Sequence, residues 1–340
     1  MKKIYILFCL LISLAFVSCS EEEEQLASLD IMESDVSYDS VGGEGNIKIN
    51  ALNPVTASSS EEWCTIKNIS NDLITISVGP NYNESSRSAM INISSGDESA
   101  QVPIYQMGSI LDTNLTGSEI YSDGGELSFF IKSNNNVVIT SSAKWLTYKY
   151  EGEKLTLNIS SMPSNSSTFM REAVLNIVCG KSEFEYKFTQ INMEGVYTCT
   201  CIERDGERTY TLRLEETDIP FVYNVFPKDS YYDGPYQVRY SNRNLIIGFN
   251  QVLGLYQEGP KKVILCSYDK KGQLSWNTNI QYVAPVDVNS NSLKFQDNGT
   301  WSGYHVDGFY YSISDDNGNP TGNGYYSTDL VWVKTDGTLN

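Results

Sequence analysis

Apolar residues in this chain recur at every second position. Ile47/Ile49, Phe129/Ile131, Ile74/Ile76/Val78 and Leu155/Leu157/Ile159 alternate with polar neighbours. A period of two built on β-branched side chains predicts strands with one face turned inward. Clusters such as Ser94-Ser95-Gly96-Asp97 punctuate the strands, and no helical period of useful length interrupts them. The predicted fold class is all-β.

The pattern also repeats. Gly42-Gly43-Glu44 returns as Gly124-Gly125-Glu126 and Trp63 as Trp145, both 82 residues on. Arg87-x-Ala89-x-Ile91-x-Ile93 returns 84 residues on as Arg171-x-Ala173-x-Leu175-x-Ile177, followed by Gly96/Gly180 and Gln106/Gln190. Several short strands in each copy predict two tandem immunoglobulin-like β-sandwiches, over residues 28–109 and 110–192. Read physically, Trp63 and Trp145 fill the cores, with sugar stacking as the alternative. Arg87 and Arg171 bond locally at a strand start, and Gln106 and Gln190 satisfy backbone groups at the last strand.

These landmarks resemble the BACON domain (Bacteroidetes-associated, carbohydrate-binding, often N-terminal). The first copy carries Trp63-Cys64-Thr65-Ile66, Asn81-Tyr82-Asn83 and Ile104-Tyr105-Gln106-Met107-Gly108; the second ends Phe188-Thr189-Gln190-Ile191-Asn192, without the final glycine. The resemblance implies a seven- or eight-stranded sandwich that binds glycan or acts as a spacer. Asp39-Ser40-Val41 fits a short pattern glycosylated in Bacteroidetes envelopes, and competes with a turn before Gly42-Gly43.

After Met193 the composition shifts: fifteen of the chain's 23 tyrosines follow. Leu274/Trp276/Ile280/Tyr282 share one parity, which places Trp276 in a core. Asp269-Lys270-Lys271-Gly272, Asp297-Asn298-Gly299 and Asp316-Asn317-Gly318 read as hairpin turns. Residues 194–340 are predicted to form an antiparallel β-barrel or sandwich. Gly195-Val196-Tyr197 and the Phe295 to Trp301 segment are loosely similar to lipocalin-like domains of surface lipoproteins.

Tyrosine and tryptophan offer a flat apolar face with a polar edge, which suits a sugar ring. Tyr231, Tyr232 and Tyr236 sit in a turn-like segment; Trp301, Tyr304, Tyr325 and Tyr326 adjoin turns. Binding residues gather on such loops, so these seven are the candidate ligand-binding residues. The competing expectation is that they cover a small β core.

Catalytic signals are sparse. His305, the one histidine, stands near Asp307 with no G-x-S-x-G motif, and no phosphate-cradling glycine loop occurs. Asp315-x-Asn317-x-Asn319 alternates like a calcium loop, but Pro320 and Tyr326 occupy the positions for its glycine and bidentate glutamate. No metal and no cofactor is expected. A two-carboxylate glycoside hydrolase would be visible only in the fold.

The first residues bear on location. Met1-Lys2-Lys3 and the apolar run Ile4 to Val17 form a signal peptide, too short to span a bilayer. Ser18-Cys19 after that run looks like a bacterial lipobox, which implies acylation of Cys19 and cleavage after residue 18. The tether, residues 19–27, contains Glu21 to Glu24, similar to the signal that sends Bacteroidetes lipoproteins to the cell exterior. With 24 basic against 42 acidic residues the net charge is −18, which argues against nucleic acid as a partner. Losing Lys2 and Lys3 takes −18 to −20, so the outer-membrane anchor must be lipid. Cys64, Cys179, Cys199, Cys201 and Cys266 remain, an odd set read as mostly buried thiols. The reading is a lipid-anchored surface protein that binds glycan without cleaving it. Alternatives are a spacer or adhesin-like protein facing other surface proteins, and an unrecognised glycoside hydrolase.

Overall fold

The computed structural model describes residues 29–335 apart from 164, 229–231, 233, 257–258, 289 and 300–302. The leader, Cys19 and the acidic tether lie outside the described residues. Every regular element described is a strand, so the protein is all-β. The chain divides into two compact units, with the break between Ser109 and Ile110.

The first unit holds β1 (Leu29–Ser34), β2 (Ser37–Tyr38), β3 (Gly43–Ala51), β4 (Val55–Ser59), β5 (Cys64–Ile69), β6 (Leu73–Val78), β7 (Arg87–Ser95) and β8 (Glu98–Gln106). They form two four-stranded sheets, β1-β3-β6-β5 and β2-β8-β7-β4, with β2 parallel to β8. The alternation read from the sequence points Ile47, Ile74, Ile76, Ile91, Ile93 and Ile104 into the space between them.

The second unit opens with the same arrangement: β9 (Leu111–Thr113), β10 (Glu119–Ile120), β11 (Gly125–Ser133), β12 (Val137–Ser141), β13 (Leu146–Glu151), β14 (Lys154–Ile159), β15 (Met170–Cys179) and β16 (Ser182–Ile191). Its sheets run β9-β11-β14-β13 and β10-β16-β15-β12, the order of the first sandwich strand for strand.

The repeated landmarks meet in one latch per sandwich. Arg87 lies over the Trp63 ring at 4.2 Å, donates through Nε to Gln106 Oε1 (2.8 Å) and through Nη2 to the Gly79 carbonyl (2.9 Å). Gln106 Nε2 donates to the carbonyls of Asp39, Ser40 and Gly79. The second copy repeats this with Arg171 over Trp145 (4.7 Å), Arg171 on Gln190 (2.8 Å), and Gln190 on Tyr121, Ser122 and Ser160. Both tryptophans are therefore half-buried at the core's rim beneath a guanidinium, not fully inside as the sequence reading had them. Gly42 is required because its φ is 76° and a Cβ would stand 2.1 Å from the Val78 carbonyl. Ser40 is fully buried and Gly42 N bonds the Asp39 carbonyl at 3.0 Å, so Asp39-Ser40-Val41 forms the turn before Gly42-Gly43.

The rest of the second unit is one sheet. Its strands are β17 (Gly195–Glu203), β18 (Gly206–Glu216), β19 (Val222–Pro227), β20 (Tyr236–Ser241), β21 (Asn244–Gly248), β22 (Gln251–Leu255), β23 (Lys262–Asp269), β24 (Gln273–Ser275), β25 (Gln281–Pro285), β26 (Ser292–Lys294), β27 (Gln296–Asp297), β28 (Gly308–Ser314) and β29 (Pro320–Thr335). The path is β22-β23-β28-β29-β17-β18-β19-β20-β21-β25-β27, with β24 on β23 and β26 on β29. Both ends curl back. The Gln251 amide of β22 accepts from Gln237 N (2.7 Å) and donates to Gln237 O (2.9 Å), which ties that edge to the start of β20. At the other end β26 pairs with β29 and lies against β25. The result is a closed, barrel-like body centred on Trp332, with Phe295 at 4.6 Å and Tyr197 at 6.2 Å. The five cysteines among the described residues are all buried.

Barrel and second sandwich share a core. Phe169, Met170, Ile191 and Met193 belong to the same apolar cluster as Trp332, and Phe169 stacks on Tyr197 at 6.2 Å. Tyr240 Oη donates to Glu119 (3.0 Å), the buried Lys334 ammonium donates to the Asn192 carbonyl (3.1 Å), and Arg243 pairs with Glu172, which Lys187 also reaches at 2.8 Å. Partial burial alone would raise the Glu172 carboxyl, but the hydrogen bonds from Lys187 and Arg243 outweigh it and hold the group below its ordinary range. A depressed acid stabilises the fold above its unfolded value near 4.3 and loses that contribution as pH falls through the folded value. Glu172→Gln should therefore cost residues 110–340 about 0.5–1 kcal/mol at pH 7, since both cations are half-exposed, and cost nothing once wild-type Glu172 is protonated. Chemical denaturation at pH 7 and pH 3 checks this.

Candidate functional site

A pocket opens at the end of the barrel away from the second sandwich. The hairpin β17–β18 turns through Arg204-Asp205, pairs Glu203 with Gly206, and sets Arg208 opposite Cys201 and Tyr210 opposite Cys199. Those two cysteines face the core, so Arg208 and Tyr210 point the same way. Pro227 and Lys228 come from the end of β19, Tyr311 and Tyr325 from opposed positions of β28 and β29, and Tyr232 from the segment before β20. Tyr311 stands 5.3 Å from both Tyr232 and Tyr325. The room between these walls for a water-sized body is about 20 Å³, and about 310 Å³ only when the solvent-open mouth is counted.

The rim is charged and the interior aromatic. Arg208 Nη1 lies 3.2 Å from each Glu203 oxygen, and its guanidinium sits over the Tyr210 ring at 5.4 Å. Ser327 Oγ donates to Glu203 Oε1 at 3.2 Å. Burial pushes the hydroxyls of Tyr210, Tyr232 and Tyr311 well above the usual tyrosine range, so they remain protonated donors at any physiological pH. The Tyr210 hydroxyl is buried beside the Cys199 thiol, and among the described residues no oxygen accepts from it.

Two of the seven candidate residues, Tyr232 and Tyr325, converge in this pocket. Tyr236 is fully buried at the start of β20, behind Tyr232, because its parity is that of the core residues Val238 and Tyr240. Tyr304 is buried and shares a hydrogen bond with Ser267 Oγ at 2.8 Å. Tyr326 lies on the opposite face of the sheet from Tyr325, stacked on Tyr268 at 4.7 Å and 3° between planes, with Tyr310 beside them. Stacked in this way the two rings spend facing sides on each other and present edges outward. Tyr231 and Trp301 lie outside the described residues. Trp276, expected in the core, is 42 % exposed because β24 ends at Ser275. Glu203, Arg208, Tyr210, Lys228 and Tyr311 were not singled out from the sequence. The Asp205-Gly206 turn signal was present and would have placed the β17–β18 hairpin.

Other chemistry resolves simply. Asp315 Oδ1 accepts from the backbone amides of Asn317 (2.9 Å) and Asn319 (2.8 Å), which lowers its carboxyl range and ties it into its own turn. His305 Nδ1 is 3.3 Å from Asp297, not paired with Asp307, and among the described residues no serine or cysteine bonds it. Among the described residues that line the barrel-mouth pocket, Glu203 is the one carboxylate.

Comparison with known proteins adds one family. The BACON model, described as "Putative binding domain, N-terminal", matches residues 53–107, inside the first sandwich. That sandwich is thus similar to a family of binding domains, in keeping with a non-catalytic binding or spacer role. No curated protein matches the chain. Among solved structures, the I9-I11 tandem from titin aligns with a TM-score of 0.34 at 8 % identity, over 59 % of this chain and 95 % of that one. The titin I67-I69 three-Ig variant gives 0.27 at 6 %, over 90 % and 88 %, and DIP-gamma IG1+IG2 gives 0.25 at 5 %, over 48 % and 97 %.

Proposed function

We propose that this is a lipid-anchored protein of a Bacteroidetes-type outer membrane, facing the exterior, whose barrel mouth binds glycan without cleaving it. The observation that carries the reading is the convergence of Tyr210, Tyr232, Tyr311 and Tyr325 beneath a rim of Glu203, Arg208 and Lys228. Aromatic faces pack against the C–H side of a pyranose, while a carboxylate and a guanidinium bond adjacent hydroxyls. Glycoside hydrolysis by the two-carboxylate route needs a second acid across the ring, and among the described residues that line this pocket Glu203 is the one carboxylate. The second sandwich, built on the same latch, is read as another copy of the module that the first resembles. Both serve as spacer or binding modules.

A second reading has its own observation. The half-exposed Tyr268 and Tyr326, the buried Tyr310 and the exposed Trp276 favour a neighbouring surface protein as partner on the barrel's outer side.

A glycan array probed with soluble residues 28–340, and with 28–109 and 110–340 separately, tests the main reading. Binding should appear with the full fragment and with 110–340. Silence from both across every glycan hands the role to the spacer reading. Anchoring has a separate test: Cys19→Ala should abolish palmitate incorporation and move the protein out of the membrane fraction. Unchanged labelling excludes lipidation at Cys19.

A further inference from the structure

We propose that the second sandwich carries a saccharide site of its own, centred on Phe130, which holds the same polymer as the barrel mouth; the proposal rests on the glycan-binding role given above. The two copies of the sandwich part company at one place in their matching sheets. In the first, β1 pairs with β3 from Ala51 back to Ile47, and the outward-facing Lys48 is held by Glu33 at 2.5 Å. In the second, β9 pairs with β11 from Ser133 back to Ile131 and stops, and Leu115 turns into the core. Phe129 and Phe130 are the counterparts of Ile47 and Lys48 at the repeat offset of 82, and β9 pairs with neither. Where β9 has ended lies a shallow, open notch with room of about 410 Å³, within the usual range of small-ligand sites. Asn114 and Ser128 bound it on one side, Glu151, Glu153 and Lys154 of the β13–β14 hairpin on the other, with the exposed ring of Phe130 between them.

The chemistry of the notch selects its ligand. Asn114 Oδ1 accepts from Phe130 N (2.8 Å) and Thr113 Oγ1 donates to Phe130 O (2.6 Å). At Phe130 the β11 edge therefore has no free group for an added peptide strand, and recognition falls to side chains. One aromatic face among an amide, a hydroxyl, carboxylates and an ammonium matches a pyranose, whose C–H face packs on a ring while its rim hydroxyls bond outward. Lys149 at 3.0 Å from Glu151 and Lys132 at 3.6 Å from Glu153 offset the two carboxylates, so they accept hydroxyls without setting up a strong field. Because the notch is open along the sheet, an internal residue of a chain can lie in it.

The experiment titrates soluble residues 28–340 with the polysaccharide that the array identifies. Phe130→Lys, which installs the first sandwich's residue at an exposed position, should weaken binding about tenfold and leave the melting temperature within a few degrees. Phe130→Tyr, which keeps the ring, should hold affinity within about twofold. Adding Phe130→Lys to Arg208→Ala and Tyr325→Ala should remove the retention that the double variant keeps, as expected of two sites sharing one chain. A para-fluorophenylalanine at position 130 gives a readout in the otherwise unaltered protein: its fluorine NMR signal should shift when the polysaccharide, cut to oligosaccharides, is added. Unchanged affinity of folded Phe130→Lys, an equal loss in Phe130→Tyr, or an unmoved fluorine signal overturns the proposal and leaves the barrel mouth standing. Absence of binding to every glycan overturns both.

Discussion

Trp332→Ala should lower the stability of residues 110–340 by about 3–5 kcal/mol, the usual cost of emptying a buried tryptophan site. The side chain is fully buried, packed edge-on against Phe295 and Tyr197, and Tyr197 passes the contact on to Phe169 of the second sandwich. Because that core is shared, calorimetry should show sandwich and barrel melting in one transition that moves down as a whole. Two transitions, of which only one moves, would mean that the two bodies fold independently. Trp332→Phe should cost little beyond what its lost volume implies. The indole Nε1 is buried with the weak Cys199 thiol acceptor beside it, so the smaller ring gives up little hydrogen bonding.

Gln106→Ala should cost the first sandwich about 3 kcal/mol, and Gln190→Ala a similar amount in the second unit. Each glutamine is almost wholly buried and bonds three backbone carbonyls while accepting from an arginine. Burial already lowers the range of both guanidiniums, and removing the acceptor leaves each with an open Nε in the same half-buried place. Gln106→Glu restores the acceptor but gives up the amide donor among three carbonyls, so it should not rescue. Urea melts of the single variants check both sites. A loss below about 1 kcal/mol at either would show the latch to be incidental to stability.

Much of this was open to a reader of the sequence. The alternation of Ile47/Ile49 and Leu155/Leu157/Ile159 placed strands and their inward faces, and the matched glycines, tryptophans, arginines and glutamines announced two copies of one design. What the matches could not say is that these residues touch one another, since the latch joins the entry to β5, the start of β7 and the end of β8 across the sandwich. The candidate site was legible in part. Tyr232 and Tyr325 were marked because they adjoin turns. Tyr236 shares the parity of Val238 and Tyr240, and adjacent tyrosines on one strand point to opposite faces, so Tyr325 and Tyr326 could not serve one pocket. Glu203, Arg208 and Lys228 become a rim only after the sheet closes, and that closure depends on contacts such as Gln251 with Gln237, which no periodicity encodes.

The binding assignment turns on one variant. Arg208→Ala combined with Tyr325→Ala removes a rim cation and a half-buried wall and leaves Trp332 and its neighbours intact. Measured by affinity electrophoresis in the polysaccharide that wild type binds, the double variant should lose at least about tenfold in affinity, while its melting temperature stays within a few degrees of wild type. Full retention of affinity by a folded double variant would contradict a binding site at the barrel mouth.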